Sequence, residues 1–265
     1  IVRCGLSSMG APGPDVIVDN NGNASEVFLP LHGNIANTPA RKVGIEITDS
    51  EIIVRGEVDE TMLFGPALRL TTEIRSEFGS AALTVNDTVT NLGCNPTEHE
   101  LLYHINYGEP LLEEGARLVA PYHEVAPRDQ RASEGIDAFD QYGGPQPGFV
   151  EQAYFFELAA GRDGGETLVM LRNADGDMAS LLRYTLADFP CFTLWKNTAA
   201  REDGYVTGLE PCTSYPNTRK FERARGRVPT LNGGESRATS LRVEALDSRQ
   251  AVAAAESEIA GLQSG

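Results

Sequence analysis

Leu68-Arg69-Leu70-Thr71-Thr72-Glu73-Ile74-Arg75 is the stretch whose reading decides the fold. Leu68, Leu70, Thr72 and Ile74 alternate with Arg69, Thr71, Glu73 and Arg75. A period of two gives a strand with one buried face and one polar face. Similar β-like runs continue on both sides, over 43–48, 51–58, 81–90, 98–107, 150–159, 166–172, 178–187, 191–197, 205–210 and 236–246. Turn clusters such as Asp163-Gly164-Gly165 and Asp175-Gly176-Asp177 separate several of them. No 3.6-residue stripe occurs before residue 247, so alternating βα units are excluded and a large all-β sandwich or barrel is expected. After it, Asp247 or Ser248 can cap a helix through Ala251-Val252-Ala253-Ala254-Ala255-Glu256, which would pack on the outside or fray. Residues 1–42 are rich in Gly, Pro and Asn. The stretch 121–148, with Pro121, Pro127, Gly135, Gly143-Gly144-Pro145 and Pro147, reads as a long surface loop bordering a site. No repeat or linker divides the chain, and a single domain over 1–265 is expected.

The 265 residues carry 22 basic and 38 acidic side chains, a net charge of −16. Such a surface repels phosphate backbones and anionic lipid, which argues against nucleic-acid and membrane-surface partners. The apolar runs, such as Ile52-Ile53-Val54 and Leu168 to Leu171, fall far short of a bilayer span. No basic segment followed by an apolar one marks a secretory signal. Cys4, Cys94, Cys191 and Cys212 form no CxxC pair, so free thiols in a reducing cytoplasm are expected, with Cys212 notable for its closeness to Glu210. The opening Ile1-Val2-Arg3-Cys4-Gly5 lacks Met and reads as the interior of a longer protein.

Chemistry-bearing residues are few. In Leu101-Leu102-Tyr103-His104-Ile105-Asn106-Tyr107, positions 101, 103, 105 and 107 form an apolar face, so His104 and Asn106 point together to the other. That pairing suits a polar cleft, and a solvent-facing histidine would give the same pattern. His32 sits in the Gly-containing loop Leu31-His32-Gly33-Asn34, His99 is expected to face water, and His123 lies in the long loop. Glu210 ends the apolar run Val206-Thr207-Gly208-Leu209 ahead of Pro211. A carboxylate partly stripped of water has a raised pKa, which suits a general base. Trp195, the only tryptophan, and Lys196 lie in Phe192-Thr193-Leu194-Trp195-Lys196-Asn197. GxSxG, Walker, GxGxxG and HExxH templates are all missing, and no clustered ligand spacing points to a metal, so no cofactor is expected. Arg219, Lys220, Arg223, Arg225 and Arg227 form the one basic cluster, either a local anion pocket or a solvated loop.

Taken together and in order, these segments resemble the aldose 1-epimerase (galactose mutarotase-like) superfamily over about residues 29–245, and within it the largely uncharacterised aldose-epimerase-like branch. Leu31-His32-Gly33 resembles the family's first histidine segment, and Tyr103-His104-Ile105-Asn106-Tyr107 the strand with its catalytic histidine. Gly208-Leu209-Glu210 through Pro216-Asn217 resembles the segment with the catalytic glutamate, and Leu231-Asn232-Gly233-Gly234-Glu235-Ser236 the turn before the last strand. Asn34 and Tyr103 depart from the family pattern. The resemblance implies a β-supersandwich, a monosaccharide substrate, and interconversion of its α and β anomers with Glu210 as base and His104 as acid. It also implies substrate contacts from His32, Asn106, Trp195 and Lys196, and from Glu151 or Gln152. A further contact is implied from an arginine upstream of the first histidine, where this chain has only Arg3, so that a missing N-terminal part would carry it, with Arg41 the poorer candidate. Two alternatives stay open: a non-catalytic sugar-binding module, and another carbohydrate isomerase or lyase on the same scaffold. Neither the sugar nor the oligomeric state can be read from the residues.

Overall fold

The computed structural model describes residues 1–161 and 165–263, so the turn expected at Asp163-Gly164-Gly165 lies partly outside the described residues. In chain order the strands begin with β1 (Val2–Leu6), β2 (Gly13–Val18), β3 (Ala24–Leu29), β4 (Lys42–Ile47), β5 (Glu51–Thr61) and β6 (Ala67–Glu77). They continue with β7 (Ala82–Asn91), β8 (Thr97–Glu98), β9 (Glu100–Tyr107), β10 (Arg117–Val119), β11 (Tyr122–Pro127) and β12 (Gln152–Leu158). The last are β13 (Glu166–Arg172), β14 (Ala179–Thr185), β15 (Cys191–Asn197), β16 (Val206–Cys212), β17 (Thr230–Leu231) and β18 (Ser236–Leu246). Among the described residues, three α-helices join them: α1 (Gln130–Ser133), α2 (Arg219–Arg223) and α3 (Arg249–Gln263). The chain is all-β with a C-terminal helix, as its alternation implies.

The chain forms two compact units. One comprises Ile1, His104–Pro211 and Leu241–Gly265, and the other Val2–Tyr103 and Cys212–Ser240. In the first, the His104–Tyr107 part of β9 is followed in sheet order by β16, β15, β12 and β11, while β10, β13, β14 and the Leu241–Leu246 part of β18 form a second layer. The layers pack face to face, and the Tyr107 hydroxyl meets the Ser180 hydroxyl at 2.9 Å. Because side chains alternate, β13 and β14 are apolar on both faces: Val169, Leu171 and Leu182 turn inward, while Leu168, Met170, Ala179 and Leu181 turn outward. The outward set is covered by Val252, Ala255 and Ile259 of α3. Ser248 caps that helix, its hydroxyl accepting from the Ala251 amide at 3.3 Å.

In the second unit, β4, β5, β6 and β7 form an antiparallel sheet continued by the start of β18. Leu68 and Leu70 are buried, and the opposite face of β6 carries ion pairs from Arg69 to Asp59 and from Arg75 to Glu51 and Glu73. The segment 121–148, expected as loop, contains β11, α1 and a turn of 3-10 helix at 136–138. β11 is a sheet edge, where Pro121 and Pro127 leave no ladder hydrogen bond unmade. β2 and β3 likewise pair as a hairpin inside the Gly- and Asn-rich start. No described helix is long and apolar enough to cross a membrane.

Ile259→Ala removes an anchor of α3 that is 2% exposed. The expected cost is about 2–4 kcal/mol, read as a lowered urea midpoint by far-UV circular dichroism. An unchanged midpoint would show that α3 does not hold the sheet.

Candidate active site

Four neighbouring strands of the first unit set the site. On β9, Tyr107 points to the core, so His104 and Asn106 point away from it, with Asn106 exposed. On β16, Gly208 and Glu210 share a face with His104, whose Nε2 lies 3.0 Å from Glu210 Oε1. The approach is close in distance without hydrogen-bond alignment at Oε1. Gly208 makes it possible: a Cβ there would stand 2.7 Å from Glu210 Oε1 and 3.1 Å from His104 Cε1. On β15, the Trp195 ring meets the His104 ring edge-on with centroids 5.5 Å apart. Just ahead of β12, Glu151 Oε2 accepts the indole N–H of Trp195 at 2.7 Å.

Glu210 is only 3% exposed. Burial pushes its carboxyl up to about 8, the negative charge of Glu151 adds to the rise, and the Arg128 guanidinium opposes it. A carboxyl poised this high, beside an imidazole, can exchange protons with a bound hydroxyl near neutral pH.

The same alternation places two of the expected substrate contacts on the other face of the sheet. Gln152 and Lys196 are register partners and lie on the face opposite Trp195 and Glu151. Lys196 is buried, and its ammonium donates to the carbonyls of Ala138, Phe139 and Gln141 at 3.2, 3.0 and 2.6 Å. Its three N–H donors are thereby used, and burial pulls its pKa down to about 8. Gln152 Nε2 donates to the Arg131 carbonyl at 3.0 Å. Both residues tie down the segment after β11. Glu151 and Gln152 could never serve together, because neighbours in an extended chain point to opposite faces.

In the second unit, His32 has a left-handed backbone, φ 61°, followed by Gly33 at φ 70°. Its Nδ1 stands 3.1 Å from the Met9 carbonyl, a bond that needs a proton on Nδ1. A Cβ on Gly33 would strike the Ser8 carbonyl oxygen at 2.0 Å, so the turn requires glycine. Arg41 sits on Glu57 and Asp59 of β5, and Arg3 on buried Asp87. Three arginines of the basic cluster are paired with protein carboxylates: Arg219 and Arg223 hold Asp15, Arg223 also holds Glu98, and Arg227 holds Glu222. His99 is 1% exposed, contrary to expectation, and burial pulls its pKa down to about 4. It sits at the break between β8 and β9, where simple alternation fails. A cavity of about 630 Å³ in this unit has apolar walls from Val16, Phe28, Pro30 and Met62, with Arg219 and Arg223 already paired on its rim.

Sequence reasoning missed Arg128 and Gly208. Gly208 carried a signal, since a glycine inside a strand marks a close approach. Asp129 also carried one: it caps α1 by accepting the Ala132 amide at 2.9 Å, which fixes the turn that follows Arg128. Cys4, Cys191 and Cys212 are buried, and Cys94 is exposed. Among the described residues, no three His, Cys, Asp or Glu side chains converge on one point.

A family profile described as a domain of unknown function, DUF4432, matches residues 1–245. In structure, the chain superposes on a Klebsiella pneumoniae protein provisionally described as an aldose 1-epimerase, with a TM-score of 0.91 and 35% identity. The match covers 99% of this chain and 66% of that protein, so this chain spans slightly under two thirds of the relative's length. A galactose mutarotase-like protein from Clostridium acetobutylicum aligns with a TM-score of 0.65 and 15% identity, over 92% of this chain and 79% of its own. The galactose 1-epimerase of Lactobacillus acidophilus aligns with a TM-score of 0.62 and 9% identity, over 92% and 79% respectively. The last two likenesses are of fold alone. No curated protein matches the chain in sequence.

Lys196→Met would leave the carbonyls of Ala138, Phe139 and Gln141 without their shared donor. The expected result is a loss of about 2–3 kcal/mol and faster hydrogen exchange across 130–142. Unchanged exchange there would contradict the tethering role.

Proposed function

This chain belongs to the DUF4432 family and has the galactose mutarotase-like fold, and from that premise we propose that it interconverts the α and β anomers of a monosaccharide by acid–base catalysis. The observation that carries the proposal is the 3.0 Å approach of His104 Nε2 to the buried carboxyl of Glu210. The ionised Glu210 takes the proton of the anomeric hydroxyl while the protonated His104 gives one to the ring oxygen. The C1–O5 bond breaks, the aldehyde forms, and rotation about C1–C2 presents its other face. On reclosure O5 attacks C1, its proton returns to His104, and Glu210 gives its proton back to O1. No atom is gained or lost.

Trp195, half-exposed beside His104, offers an apolar surface to the sugar ring. Glu151 keeps acceptor capacity for sugar hydroxyls, since each carboxylate oxygen has a second lone pair beyond the Trp195 and Arg128 bonds. Asn106 supplies an exposed amide on the same face. For His32 a hydrogen bond to substrate rests on the Leu31-His32-Gly33 resemblance. Gln152, Lys196 and Arg41 have no part in this reading, because Gln152 and Lys196 lie on the face opposite Trp195 and Arg41 is paired with Glu57 and Asp59 of the second unit.

Exchange NMR of α/β interconversion across a panel of aldoses tests the proposal. The expected result is catalysis of at least one sugar, falling by about 10²–10⁴-fold in His104→Ala and in Glu210→Gln. Full activity in both variants would overturn the assignment, and binding without exchange would favour a sugar-binding module. The pH dependence has a definite sign. Glu210 is protonated below about 8 and acts as base only when ionised, so kcat/KM should climb as pH rises toward about 8. A flat profile from pH 6 to 9 would remove Glu210 from the base role.

A further inference from the structure

Glu151 is itself held in place. Its Oε1 accepts from Nη2 of Arg128 at 3.1 Å while Oε2 accepts the Trp195 indole N–H at 2.7 Å. Arg128 is fixed in turn from two sides. Its backbone amide donates to the Ala153 carbonyl at 2.9 Å, which registers it on β12. Its Nε donates to Asp129 Oδ2 at 3.0 Å, and Asp129 caps α1. A planar guanidinium that shares its donors between two carboxylates fixes direction as well as distance.

We propose that Arg128 is a positioning residue of this site, clamping Glu151 so that its other oxygen fixes the Trp195 indole against the His104 ring. The inference rests on the reading of His104 and Glu210 as the reacting pair. The geometry runs without a gap from Arg128 through Glu151 and Trp195 to His104, and from His104 to Glu210. Arg128 touches none of the reacting groups and acts through Glu151.

The clamp also sets the charge around Glu210. The ionisable groups facing that carboxyl are His104 on β9, Glu151 ahead of β12 and Arg128 after β11. β15 contributes the uncharged Trp195, and β16 itself carries Gly208 and Cys212 on the same parity. Glu151 raises the Glu210 pKa and Arg128 lowers it, so losing either moves it in a known direction.

Trp195 is the only tryptophan, so its indole N–H gives one cross-peak in a ¹H–¹⁵N spectrum of the full chain. In Arg128→Met that peak is expected to move and its exchange with water to quicken by about tenfold. Arg128→Lys, which keeps the charge, should restore most of both. The isosteric Glu151→Gln should also shift the peak. It should move the rising limb of kcat/KM to lower pH, whereas Arg128→Met should move it higher and reduce kcat by about tenfold. An unmoved indole peak in Arg128→Met and Glu151→Gln, with the remaining amide spectrum intact, would overturn the proposal. If the indole responds while the wild-type chain anomerises no sugar, the clamp stands and the proposed reaction falls.

Discussion

A side chain of β9, β16, β15 or β12 reaches the candidate site only if its residue falls on the parity that points away from the core. That single constraint brings His104, Glu210 and Trp195 together and sends Gln152 and Lys196 the other way. It also fixes where room must be left. Gly208 stands between Glu210 and His104 on the shared face, and any larger residue there would occupy the space across which they meet. On the opposite parity, Lys196 binds three carbonyls of the segment 138–141, so the two faces of one strand serve different ends. One anchors the segment that follows Arg128, and the other presents the indole that Glu151 and Arg128 hold.

The charges divide into two kinds. With 38 acidic and 22 basic residues, many carboxylates must do without a cation. Asp15 has two: burial works against its charge, yet hydrogen bonds from Arg223 and Arg219 hold it down to about 2. It is a structural anion in the second unit. Glu210 is buried with no arginine or lysine in contact, and its pKa rises accordingly. Glu100 in the second unit is similar: burial pushes it up to about 7, against hydrogen bonds from the Ser214 hydroxyl and the Met9 amide. A protein with arginines to spare for Asp15 and Glu222 leaves Glu210 without one in contact, and this difference separates a carboxyl that holds the fold from one that can move a proton.

Most of the sheet was legible because half-buried strands advertise themselves. β6, β13, β14, β15 and β18 all fall where alternation or a short apolar run places them, and Ser248 caps α3 where a capping residue was expected. β11 was hidden by its prolines, which an edge strand tolerates and a central one does not. β2 and β3 were hidden by glycine and asparagine, residues equally at home in a hairpin and in a loop. At the site, the parity of β9 already put His104 and Asn106 on one face. Parity within a strand does not reveal which strands are neighbours, so the contact of His104 with Glu210, more than a hundred residues on, came only from the sheet order. Arg128 left no pattern, because its role depends on the Glu151 carboxylate that only the folded β11–β12 pairing brings to it.

The central claim is that burial beside His104 turns Glu210 into a carboxyl that titrates near neutral pH. A ¹³C NMR titration of glutamate side-chain carboxyls, with the Glu210 signal identified by its loss in Glu210→Gln, tests this most directly. A midpoint near 8 is the predicted result. A midpoint in the ordinary carboxylate range, about 4–5, would contradict the account, because burial would then not have raised Glu210 toward the range in which it both takes and returns a proton near neutral pH.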